Sequence, residues 1–210
     1  MVDVSTLDNW YSELRTQWEW IAGCDQFAAL WDSEPFEIWH KQQSRSAQKS
    51  LLLIVKSVVA NNAAGGVARI FDNDKGKDRI CIPRFMRCLE DEQLANAYCR
   101  APNGDLHLSA ARVTWKTVQN TPSRKSVEER QSNQTLLIDA FREYRDSRQA
   151  HLLDLEPEGV FYADLWHLAR EAGAIIEALG NASGTHTVSV EAVNQVWAER
   201  HLALFESWKS

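Results

Sequence analysis

Leu51-Leu52-Leu53-Ile54-Val55-Lys56-Ser57-Val58-Val59-Ala60-Asn61-Asn62-Ala63-Ala64 is the most apolar run of the chain, and its reading decides the fold. Lys56, Asn61 and Asn62 interrupt it, and it is too short to span a bilayer. It carries no strict alternation of apolar and polar residues, so a half-buried strand is excluded. Apolar residues on most sides of a helical wheel predict a buried central helix. The surrounding pattern extends that helix from about Glu37 to about Phe71. Gly65-Gly66 lowers helix propensity locally and permits close helix packing.

Helical periodicity continues on both sides. Upstream, Leu7, Tyr11, Leu14, Trp18 and Ile21 mark one stripe of a first helix, which Trp10, Cys24, Phe27 and Trp31 widen; Ser33-Glu34-Pro35 ends it. Downstream, Asp72–Asp78 reads as a polar loop and Ile80-Cys81-Ile82 as an extended lead-in. Pro83 suits the first turn of a third helix reaching about Arg100. Ala101-Pro102-Asn103-Gly104 is a turn, and helix resumes near Leu106. A further helix is predicted from about Ser126 to His151, another over about 160–179 with Gly180-Asn181 as its cap, and a last amphipathic helix over 189–208. The expectation is an all-α, bundle-like fold in one domain, residues 1–210.

The 210 residues carry a net charge of −6. That opposes generic tight binding to nucleic acid, so any RNA contact must be confined to one cleft. Cys24, Cys81, Cys88 and Cys99 lack C-x-x-C spacing and read as reduced thiols. The scattered histidines form no metal-ligand spacing, so no metal and no cofactor is expected. Asp72, Asp74 and Asp78 faintly suggest a calcium loop, but its closing Glu would fall at Pro83. An acidic N-terminus without an apolar core predicts no signal peptide and a cytoplasmic location. Of nine tryptophans, five crowd the first 39 residues, predicting large aromatic packing or an interface there.

The chemistry concentrates in Phe141-Arg142-Glu143-Tyr144-Arg145-Asp146-Ser147-Arg148-Gln149-Ala150-His151. Leu137, Phe141, Tyr144, Arg148 and His151 lie close to one helical stripe. His151 can move a proton near neutral pH, and an Arg fork can hold phosphate oxygens. Arg145 precedes His151 by six residues, roughly 9 Å along a helix. The two can therefore meet one phosphate only through long side chains, a helix break or a second chain. Arg142, Arg145 and Arg148 also suit the negative end of a helix dipole. Arg69, in Ala68-Arg69-Ile70-Phe71-Asp72, either pairs with Asp72 or lines a cleft.

An all-α chain with an Arg, five residues and a His on a late helix resembles the HEPN superfamily (higher eukaryotes and prokaryotes nucleotide-binding). Arg145-Asp146-Ser147-Arg148-Gln149-Ala150-His151 follows its fuller pattern, Arg-Asn-x-x-x-Ala-His, except that Asp146 stands in place of Asn. Trp39-His40, the long apolar helix ending in Ala68–Asp72 and the late motif look most like the abortive-infection U-type branch, over about residues 20–180. The resemblance implies a metal-independent endoribonuclease of a toxin–antitoxin or phage-defence system, acting on RNA as a homodimer, with an antitoxin or defence-system protein as a possible partner. It implies that Arg145 holds the scissile phosphate and His151 acts as acid or base, with Asp146, Arg148 and Tyr144 in support. Family members silenced by adenylylation carry a Tyr two residues after the His; Leu153 stands there, so that route is not implied. A non-catalytic helical module binding RNA, a nucleotide or a protein is the alternative.

Overall fold

The computed structural model describes residues 2–42, 46–73, 79–124, 127, 135–150, 162–185 and 188–209. Every regular element among them is a helix: α1 Val4–Trp31, α2 Glu34–Gln42, α3 Ser46–Ile70, α4 Ile82–Cys88, α5 Glu92–Tyr98, α6 Gly104–Asn120, α7 Leu137–Ala150, α8 Tyr162–Ser183 and α9 Val190–Lys209. The fold is an all-α bundle. No helix of the described residues is long and apolar enough to cross a membrane.

The predicted stripe on α1 is the spine of the core: Leu7, Tyr11, Leu14, Trp18 and Ile21 are all buried. Asp3 caps the helix by accepting from the Thr6 backbone N–H at 2.7 Å. α3, α8 and α9 pack along α1, while α6 packs mainly on α8. Two contacts fix the α1–α8 approach. The Trp18 indole N–H donates to the Ala169 carbonyl at 3.0 Å. Gly173 lies one turn further on, and a Cβ there would sit 2.8 Å from the Trp18 ring. Only a glycine lets the indole lie flat against that turn. At the far end, the Tyr98 hydroxyl donates to the Leu179 carbonyl at 3.2 Å and ties α5 to α8.

Three boundaries and one burial pattern differ from expectation. Of the helix expected from Glu37 to Phe71, α2 covers the part up to Gln42 and α3 the part from Ser46 to Ile70, while residues 43–45 lie outside the described residues. The apolar half of α3 is not enclosed throughout: Ile54 and Val58 are exposed, while Ala63, Ala64, Val67, Ala68 and Ile70 are buried. The third helix is broken into α4 and α5, because Asp91 caps a new start by accepting from the Leu94 N–H at 3.0 Å. The motif helix begins at Leu137, not near Ser126: Ser123 N–H donates to the Thr135 carbonyl and Leu137 N–H to the Thr121 carbonyl, holding that entry extended. Finally, α8 runs through Gly180-Asn181 to Ser183. The left-handed residue is Gly184, with φ of 68°, a conformation glycine adopts without penalty.

Candidate functional site

α7 delivers the motif to the C-terminal end of α3. Leu137 and Phe141 are buried in the core, and the Tyr144 hydroxyl, on the same stripe, donates to Asn61 Oδ1 on α3 at 2.8 Å. Arg142 does not face a cleft. Its Nε and Nη2 donate to the Phe71 carbonyl at 3.1 and 2.6 Å, satisfying an orphan acceptor at the end of α3. Its Nη1 bonds Asp139 at 2.8 Å.

Arg145, next on the helix, is only 15% exposed and lies between two carboxylates. Its Nε donates to Asp146 Oδ1 at 2.9 Å, and its Nη2 pairs with the same oxygen at 2.8 Å. Its Nη1 is enclosed and meets Asp72 Oδ2 at 2.7 Å as an ion pair, off a hydrogen-bond direction. Asp72 is the buried member, at 2% exposure, and also pairs with Arg79, whose side chain is 65% exposed. Burial alone pushes the pKa of the Asp72 carboxyl up, but the Arg145 and Arg79 guanidiniums beside it outweigh that and hold the group below the usual carboxylate range. For Arg145, burial disfavours the cation, and the bonds to Asp72 and Asp146 more than offset it. Both groups are therefore charged across the physiological range.

These residues open onto one cavity of about 380 Å³, lined by Arg69, Asp72, Arg79 and Arg145 with Glu13 and Gln17 of α1. The two arginines singled out in the sequence from separate segments, Arg69 and Arg145, thus share a site. Arg69 lines this cavity, and the ion-pair partners of Asp72 are Arg79 and Arg145. Arg148 continues α7, and only its backbone is described; His151 lies outside the described residues. Sequence reasoning missed Arg79, Glu13 and Gln17, which reach the cavity only through the packing of α1 and the segment before α4. It missed Asp72 as the partner of Arg145, although an Asp closing an apolar helix was the available signal.

Chemically, three guanidiniums and two carboxylates give the cavity a slight cationic excess, suited to an anion with planar, bidentate acceptors. Among the described residues, no group of three or more His, Cys, Asp or Glu stands close enough to hold a metal ion. Burial raises Cys24 to about 11, so it is no ready nucleophile. No family model, curated protein or solved structure matches the chain.

Proposed function

We propose that the chain is a metal-independent endoribonuclease of the HEPN kind, serving a prokaryotic defence or toxin system. One observation supports this reading above the motif itself: Arg69 and Arg145 line a single polar cavity beside the helix that leads to His151. In this reading the RNA 2′-hydroxyl loses a proton and attacks phosphorus, and the departing 5′-oxygen gains one. His151 moves a proton at one of those oxygens. Arg145, held by Asp72 and Asp146, stabilises charge on the non-bridging oxygens. Two chains bring two motifs to one cleft, because six residues of sequence part Arg145 from His151, a span of roughly 9 Å in helical spacing.

The test is cleavage of single-stranded RNA by purified protein with EDTA present. Loss of acid–base catalysis costs about 10²–10⁴-fold, so His151→Ala should slow cleavage by that order while the circular dichroism spectrum is retained. Light scattering should report a dimer, and a strict monomer would remove the two-chain site. One observation favours a second reading, a non-catalytic binding module: two carboxylates already occupy Arg145. Equal activity in wild type and His151→Ala would select that module.

A further inference from the structure

Trp20 has no place in the core. It is 58% exposed, the most exposed aromatic residue of α1. It borders a small apolar pocket of about 110 Å³ with Gly23, Cys24 and Phe27 of α1, Val59 and Asn62 of α3, and Trp197 and His201 of α9. The walls are aromatic. His201 stacks on Trp197 with ring centroids 5.6 Å apart, and its edge meets Phe27 at 5.3 Å. Its Nε2–H donates to the Gly23 carbonyl at 2.9 Å. That volume is smaller than the apolar cavity of about 150 Å³ that holds benzene, so it takes only the edge of a planar base whose face lies against the exposed Trp20.

The pocket and the arginine cavity lie on one line. On α1, Glu13 and Gln17 line the cavity and Trp20, Cys24 and Phe27 line the pocket. Their steps of four, three, four and three form a single helical stripe. On α3, Asn62 borders the pocket and Arg69 the cavity, two turns away, or about 10 Å along the axis. Gly65 occupies the intervening position of that stripe, and a Cβ there would meet nothing within 4 Å. The space above it is open. Gly66, one residue on, points instead at Ile21, 2.8 Å from where its Cβ would be, and brings the two helices close.

A cationic cavity joined through open space to an aromatic slot matches the two parts of an unpaired nucleotide strand. Phosphates need guanidiniums, and an unstacked base needs an aromatic face. We infer that the α1–α3 groove is a track for single-stranded RNA, with backbone phosphate at Arg69 and Arg79 and a base stacked on the exposed Trp20. This rests on the ribonuclease reading for the identity of the strand and extends it by naming where the bases go. It also assigns a use to the exposed tryptophan of a chain whose overall charge is −6: stacking supplies affinity that net charge does not.

The experiment is fluorescence anisotropy with a labelled short oligoadenylate and with an abasic ribose–phosphate chain of equal length, in the His151→Ala background with EDTA. Base–aromatic stacking is worth about 1–3 kcal/mol by alanine substitution, which at 1.4 kcal/mol per tenfold predicts that Trp20→Ala weakens oligoadenylate binding about 5- to 100-fold and leaves the abasic chain unaffected. Arg69→Ala and Arg79→Ala should weaken both ligands and reduce the salt dependence, by about 0.7 per lost phosphate contact. Gly65→Leu should block the groove and weaken binding without lowering the melting temperature. The inference falls if wild-type groove residues give no binding, if Trp20→Ala binds oligoadenylate as tightly as its parent, or if it weakens the abasic chain equally. It falls too if Trp20→Ala turns a dimer into a monomer, which would make the patch a contact between copies. Failure of His151-dependent cleavage, with the binding pattern intact, would sink the catalytic reading and leave the track standing.

Discussion

Replacing Asp72 by Asn isolates the charge that organises the site. The substitution keeps the side-chain shape and removes the negative charge that faces Arg145 and Arg79. Breaking a buried ion pair from one side typically costs about 3–5 kcal/mol, because the remaining charge is stranded. Two structural facts reduce that figure. Arg145 keeps Asp146 at 2.8 Å, and the Arg79 arm is largely solvated, so its pairing is worth only about 0–1 kcal/mol. The expected loss is about 2–3 kcal/mol, which for a urea slope of about 2–3 kcal/mol/M moves the unfolding midpoint by about 1 M. The pH dependence fixes the cause. The folded-state carboxyl is held below its unfolded value of 3.8, so its stabilisation is fully present above that value and is lost as pH falls through the folded one. Urea titrations of both proteins should therefore differ at pH 7 and converge in acid, well below the unfolded value. A midpoint unchanged at pH 7, or an equal gap at both pH values, would refute the argument that Asp72 acts as a buried anion.

Arg142→Ala removes both donors from the Phe71 carbonyl; hydrogen bonds from charged groups contribute about 1.5–3 kcal/mol, and a loss of about 2 kcal/mol should appear in thermal melts. Gly173→Ala pushes a methyl to 2.8 Å from a buried indole that is hydrogen-bonded in place; overpacking of this kind costs about 1–3 kcal/mol, and Trp18→Phe in the same chain should recover part of it.

What the sequence made legible was whatever is written in one helical turn and the next. The α1 stripe could be read because each of its residues buries the same face. Pro83 marked the first turn of α4 because its fixed φ belongs there. The errors lie where a distant segment decides. Nothing between Ser126 and Leu137 announces that Thr135 must pair across to Ser123. Gly180-Asn181 carries a stop signal, yet Leu179, Gly180 and Ala182 are buried against other helices, and the helix continues to Gly184. The same division runs through the site. The place of Arg69 at the end of an apolar helix was compatible with an ion pair or with a cleft. That Asp72 serves Arg145 depends on how α7 docks on α3.

Asp146 is the residue on which the two readings of Arg145 turn. At the place where the related pattern has Asn, a carboxylate can only accept hydrogen bonds. It accepts one here, from Nε of Arg145, and pairs with Nη2 of the same guanidinium. An Asn oxygen could accept that bond as well, but it would add no charge. The carboxylate therefore changes the field rather than the geometry: Asp72 and Asp146 together outweigh the single guanidinium between them. An incoming phosphate would be repelled at Arg145 unless other cations share it, and the cavity supplies two, Arg69 and Arg79. Arg79 also balances Asp72, so moving it toward a phosphate would leave Arg145 as the sole compensation for a buried anion. Arg69, exposed and without an ion pair among the described residues, can reach a phosphate at no such cost. In the proposed reading, the charge balance thus makes Arg69 the first contact for the strand, with Arg79 and Arg145 engaged only after the phosphate is seated. On this argument Arg69→Ala should weaken RNA binding before it alters the chemical step, while Arg145→Ala should do the reverse, provided that Asp72 is neutralised with it as Asn so that no buried anion is stranded.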